Sequence, residues 1–76
     1  MASKKSITIL PLAGMERLLK KVGSERVSDN AKKELGIVLE EIGAELSKKA
    51  LELSNHAGRK TIKKEDISLA FKQFKI

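Results

Sequence analysis

Two stretches of the chain gather side chains that bind phosphate. GSERVSD at positions 23–29 holds Arg26 and Ser28, and HAGRKTIKKEDI at 56–67 holds Arg59, Lys60, Thr61, Lys63 and Lys64. Lys and Arg neutralise phosphate charge, hydroxyls and free backbone N–H groups donate to phosphate oxygens, and helix N-termini point partial positive charge at the same ligand. Arg17, Lys20 and Lys21 precede the first stretch, and Lys32 and Lys33 follow it. Other chemistry fails by count. With no Cys and one His, a zinc knuckle, an iron–sulfur cluster, a thiol nucleophile and a disulfide scaffold are excluded. His56 has no nucleophile at motif spacing, no Gly-rich phosphate loop is present, and no carboxylate pair has a buried site. The sequence therefore predicts no catalytic residue, no metal site, no cofactor and no small-molecule substrate.

Three helices must position these stretches. Met15, Leu18, Leu19 and Val22 fall at i, i+3, i+4, i+7, which predicts a short helix over about residues 12–22 ended by Gly23. Ser28 and Asp29 supply a hydroxyl cap and a first-turn acid for the next helix. No breaker then appears until Gly58. Ala31, Leu35, Val38, Leu39, Ile42, Leu46, Leu53 and Ala57 keep a spacing of three or four, predicting an unbroken helix of about 28 residues, roughly 40 Å long. Glu65 and Asp66 favour another helix start. Ile67, Ala70, Phe71 and Phe74 then place a short third helix at about 64–74.

A rod of that length cannot bury its apolar stripe under two flanking helices of roughly 16 Å each, so another chain must cover the rest. Seventy-six residues with 41% apolar content make one small and marginal core, and without disulfide or metal the remaining means of stabilisation is association. Positions 36, 43, 50 and 57 form a heptad row of Gly, Gly, Ala and Ala. Such a row marks either a close crossing by another helix or the seat of the chain's own short helices.

The net charge of +6 points to a polyanion, and its distribution is uneven. Residues 1–27 carry +4, residues 28–58 carry −2 and residues 59–76 carry +4. The longest apolar run, Ile9 to Ala13, is interrupted by Pro11, so neither a membrane span nor a signal peptide is expected. The absence of Cys fits a reducing interior. Residues 1–6 read as a short mobile tail, with order beginning near Leu10 or Pro11.

The stretches 23–29 and 56–67, together with LPLA at 10–13, resemble the two loop regions and the opening segment of archaeal histones. The resemblance runs from about Leu10 to Lys75 without an apparent gap, and the second stretch carries Arg59, Thr61 and Asp66 at the family's loop spacing. It implies an all-α histone fold of short, long and short helices over residues 10–76, with residues 1–9 as a tail. It also implies a handshake dimer, of identical or related chains, that bends double-stranded DNA around its outside and stacks into tetramers or longer assemblies on the chromosome, in the cytoplasm.

Carried over by position, Arg26 and Thr61 resemble the paired Arg and Thr of each DNA site. Arg17 resembles the arginine that enters the minor groove. Lys20, Ser28, Lys60 and Lys63 match further phosphate contacts, to which Lys32 adds, whereas Lys21, Lys33 and Lys64 read as ordinary solvated charges. His56 and Asp66, with Leu53 and Leu69, match residues that join one dimer to the next, although a lone His near a helix end also reads as a structural or exposed group. Arg59 and Asp66 are expected to pair within the chain and shape the second loop. Departures from the family pattern are Gly14, where many members have a second Pro, Glu16 immediately before Arg17, and the extension over residues 1–7, where Lys4 and Lys5 add charge.

Other classes fit less well. A histone-fold protein used only for pairing has no need of loop cations and hydroxyls at 26, 60 and 61. A helix-turn-helix reader fails because the second helix is much too long for a recognition helix. Binding of single strands through stacked aromatics fails because Phe71 and Phe74, the only aromatics, lie on an apolar helical face.

Overall fold

The computed structural model describes residues 7–74 and contains three helices in the order short, long, short. They are α1 (Leu12–Lys21), α2 (Asp29–His56) and α3 (Lys64–Gln73). No strand occurs among the described residues. The chain forms two compact units, one up to Glu41 and one from Ile42. The predicted tail over residues 1–6 lies outside the described residues.

Local chemistry sets the helix ends. Helix α1 starts behind Pro11, whose extended backbone and fixed φ suit the entry position. It stops at Lys21, one residue short of the expected end, because Val22 already serves as the C-cap. Gly23 follows with φ +113°, its N–H donating to the Lys20 carbonyl at 3.0 Å while Ser24 N–H donates to Leu19 at 3.3 Å. These two bonds form a Schellman motif, which satisfies orphan carbonyls at the helix end.

Helix α2 ends in the same way. Gly58 has φ +75°, its N–H reaches the Asn55 carbonyl at 2.9 Å, and Arg59 N–H reaches Ser54 at 3.0 Å. At the start of α2 the Ser28 hydroxyl accepts the Ala31 N–H at 3.0 Å, an N-cap bond, and Asp29 lies in the first turn. Lys63 is the N-cap residue of helix α3. A lysine has no acceptor to offer a helix N-terminus, so only the reciprocal half of a capping box forms: the Asp66 carboxylate accepts the Lys63 N–H at 2.8 Å.

The apolar core of the single chain is small. The buried apolar side chains are Met15 and Ile37 in the first unit and Ala50 and Ala70 in the second. Ile37 corrects the expected ladder on α2: it is buried, whereas Val38, which the spacing of three and four selects, is 41% exposed, and Ala31 and Ala57 are exposed too. The ladder assumed one apolar face, but α2 turns Gly36 and Ile37 toward its own unit and leaves Val38 and Leu51 uncovered. On α1, Met15 is buried while Leu18 and Val22 are exposed.

In the small-residue row, Gly36 is met by the segment before α1 and not by one of the short helices. A Cβ built on Gly36 would lie 2.5 Å from Thr8 Cγ2, so this glycine seats the chain's own N-terminal segment. Thr8 is held there by donating its hydroxyl to Glu40 Oε1 at 2.9 Å, and the Ile9 N–H donates to the same oxygen at 2.9 Å. The chain is thus fastened to α2 two residues before Leu10. Gly43 has nothing within 4 Å of its Cβ direction.

Gly36→Ala improves the intrinsic helix propensity of α2 and should nonetheless release the N-terminal segment, because the new methyl displaces Thr8. Amide exchange at Ile9 is expected to accelerate several-fold in Gly36→Ala. It should return toward the wild-type rate when Thr8→Ser removes Cγ2 and keeps the hydroxyl.

Candidate nucleic-acid interface

Loop one, residues 22–28, runs from the Gly23 turn to the Ser28 cap. Ser24 Oγ donates to the Arg26 carbonyl at 2.8 Å, which holds the backbone around Arg26 while its guanidinium stays exposed. Arg26 makes no ion pair among the described residues, and neither does Arg17, exposed on α1. The Ser28 hydroxyl is engaged as an acceptor in the cap and retains its proton for donation.

Lys20 and Lys32 are placed differently. Lys20 Nζ lies 3.0 Å from Glu16 Oε2, and Lys32 Nζ lies 3.5 Å from Glu16 Oε1 and 3.2 Å from Asp29 Oδ1. The Lys32 side chain is only 19% exposed, against 50% for Lys20. The hydrogen bond from Lys20, followed by the charge of Lys32, holds the Glu16 carboxyl below its ordinary value of 4.5. The hydrogen bond to Asp29, with the charge of Glu16, raises the ammonium of Lys32, and burial opposes this in part. Spacing of three and four accounts for the Glu16–Lys20 and Asp29–Lys32 pairs but not for the link between them, because Glu16 and Lys32 are 16 positions apart in sequence.

Loop two, residues 57–63, is held from within. The Arg59 guanidinium donates from both terminal nitrogens to Asp66, Nη1 to Oδ2 at 2.9 Å and Nη2 to Oδ1 at 3.0 Å, and Nη1 also reaches the Thr61 carbonyl at 3.0 Å. Such bidentate, charge-assisted pairs fix geometry as well as energy. The Arg59 bonds, followed by the Lys63 N–H, lower the Asp66 carboxyl to about 2 against desolvation. Beneath the loop, the fully buried Ser54 shares its hydroxyl proton between the carbonyls of Arg59 (3.1 Å) and Thr61 (2.9 Å). The inner side of the loop is thereby saturated, and Lys60, Thr61 and Lys63 are exposed.

Sequence reasoning missed Ser54. Its position four residues after Ala50, on the row that faces α2's own unit, and four before Gly58 is the only trace it leaves in the sequence.

Leu53 is half-buried and Leu69 exposed, while His56, the last residue of α2, is also exposed. Asp66, by contrast, is buried and already accepts three hydrogen bonds, two at Oδ2 and one at Oδ1. Oδ1 therefore keeps room for one more donor. Among the described residues, no cluster of three or more His, Cys, Asp or Glu side chains is arranged for a metal, and no helix is long and apolar enough to cross a membrane.

A short, a long and a short helix, with cations presented on two capped loops, match a known family. Residues 8–71 fit the family model described as histone-like transcription factor (CBF/NF-Y) and archaeal histone. Among curated proteins, the chain is 54% identical over 63 residues to one of the subunits of the archaeal histone HAN1 from Thermococcus zilligii. It is 46% identical over 63 residues to probable archaeal histone 3 of Methanocaldococcus jannaschii. Each alignment covers 83% of this chain and 94% of the relative. The chain belongs to the family of archaeal histones and histone-like transcription factors, and its three helices are the histone fold of DNA-binding chromatin proteins.

The Arg59–Asp66 pair has a pH signature. A carboxyl whose value falls from 3.8 to about 2 on folding stabilises the fold fully above pH 3.8 and loses that contribution as pH falls through about 2. Thermal midpoints of the wild type and Asp66→Asn should differ most near neutrality and converge as the pH is lowered from about 4 to 2. Ser54→Ala should also lower the midpoint at neutral pH, consistent with about 1 kcal/mol for a buried hydrogen bond.

Proposed function

We propose that this chain packages double-stranded DNA as a dimer, gripping the backbone with little sequence preference and stacking into tetramers or longer nucleosome-like assemblies. The observation that carries the reading is loop two, whose inward groups are consumed by Ser54, Arg59 and Asp66 while Lys60, Thr61 and Lys63 stay at the surface. A loop needed only for pairing has no reason to present cations and a hydroxyl on a fixed backbone. Family membership supports the same reading.

The dimer follows from apolar exposure. Eleven large apolar side chains among the described residues, including Leu18, Val38, Leu51, Ile67 and Phe71, are 39% exposed or more, against four apolar side chains buried. Surface of that kind calls for a partner, either a second copy of this chain or a related histone. Antiparallel pairing of two α2 rods brings loop one of each chain beside loop two of the other. Arg26, Ser28, Lys60, Thr61 and Lys63 then meet at one phosphate-binding site, Arg17 reaches the minor groove, and Lys20 and Lys32 contribute once they exchange carboxylate for phosphate.

Leu53, His56, Asp66 and Leu69 serve the contact between dimers, with His56 donating to the remaining acceptor on a neighbour's Asp66. The histone domain includes Thr8 and Ile9, which are fastened to Glu40 on α2 and are not part of a free tail, and the protein works on the chromosome as a structural component and not as a catalyst.

Nuclease digestion of the loaded complex tests wrapping. Protected lengths that rise in regular steps with protein loading are expected, and absence of protection at every loading overturns the proposal. Arg26→Gln should weaken binding to all duplex sequences alike and reduce the slope of log K against log salt by about 1.

A further inference from the structure

We propose that Glu16 is an internal competitor of DNA: its carboxylate occupies Lys20 and Lys32, so its charge sets how many phosphates α1 and the start of α2 can engage. This rests on the DNA-packaging reading above. The four side chains Glu16, Lys20, Asp29 and Lys32 sum to zero charge and are joined by contacts of 3.0, 3.2 and 3.5 Å. A cation already neutralised by a protein carboxylate releases no counterion from DNA unless it changes partner, so it adds affinity only through an exchange.

The exchange is graded by position. Arg17, adjacent to Glu16 in sequence, has no carboxylate partner among the described residues and enters the minor groove without any exchange. Lys20 has one partner, on its own helix, and is half exposed, so a phosphate displaces Glu16 readily. Lys32 has carboxylates on two sides and little exposure, so it exchanges them for phosphate only in part while Glu16 is present. Glu16 also links α1 to α2 through Lys32. A purely structural role of that kind would change stability and leave the number of phosphates bound unaltered.

Glu16→Gln separates the two roles, since the amide is isosteric and uncharged. Binding to a short duplex is measured by fluorescence anisotropy across a salt series, with folding and association state checked by circular dichroism and sedimentation. In Glu16→Gln the slope of log K against log salt should steepen by up to about 1, chiefly through Lys32, with affinity about five- to tenfold higher at about 0.1 M salt. With Lys20→Gln and Lys32→Gln already in place, adding Glu16→Gln should leave the slope unchanged. Glu16→Ala reads the same quantity should the amide variant not fold.

A wild-type slope retained in Glu16→Gln, or a steepening that persists without the two lysines, overturns the proposal while leaving the packaging reading intact. Failure of the wild type to bind duplex DNA at low salt overturns both.

Discussion

Asp66 accepts the two terminal nitrogens of Arg59 and the backbone N–H of Lys63, and much of the second unit is organised by those three bonds. One carboxylate thereby starts α3, closes loop two and holds the guanidinium that in turn grips the Thr61 carbonyl. Ser54 grips the same carbonyl from the α2 side. A loop rich in Lys would otherwise repel itself into many conformations. Here the repulsion is met by one buried acid, and the positive charge is left facing outward on a defined backbone.

The second constraint is scarcity. Among the described residues, Met15, Ile37, Ala50 and Ala70 are a small apolar core for a chain of this length, and two of the four are alanines. Association is therefore part of folding for such a chain, since the apolar area removed from water by one copy falls short of what small domains need. The same scarcity explains why α2 carries apolar residues on more than one face. Ile37 faces inward, and the exposed Val38 and Leu51 are available to a partner.

Features fixed by neighbouring residues were legible in the sequence. Gly23, Ser28 and Gly58 announce helix ends because capping acts within a few residues, and the boundaries agree with the structure to within a residue. Loop two was also readable as a cation and hydroxyl cluster. The inward face of α2 was not, since a ladder with spacing of three and four fits either side of a helix with two apolar faces, and the choice of Ile37 over Val38 is made by tertiary packing. Glu16 stood out as a departure from the family pattern, and Lys20 lies one helical turn from it, yet its second partner Lys32 appears only once α1 lies against α2. Thr8 over Gly36 and Ser54 under loop two are of the same kind, because each depends on chain segments brought together by the fold.

Both helices that lead into the loops end on the same glycine-centred motif, and this bears on how fast and how tightly the loops can work. Each loop leaves its helix in a backbone conformation already selected by two hydrogen bonds, at Gly23 and at Gly58. A loop ordered in advance loses little conformational freedom when it meets a ligand, so more of each contact survives as net affinity. Encounter also need not wait for the loop to rearrange. For a DNA-binding protein, this rigidity lets the contacts form without refolding the surface that makes them.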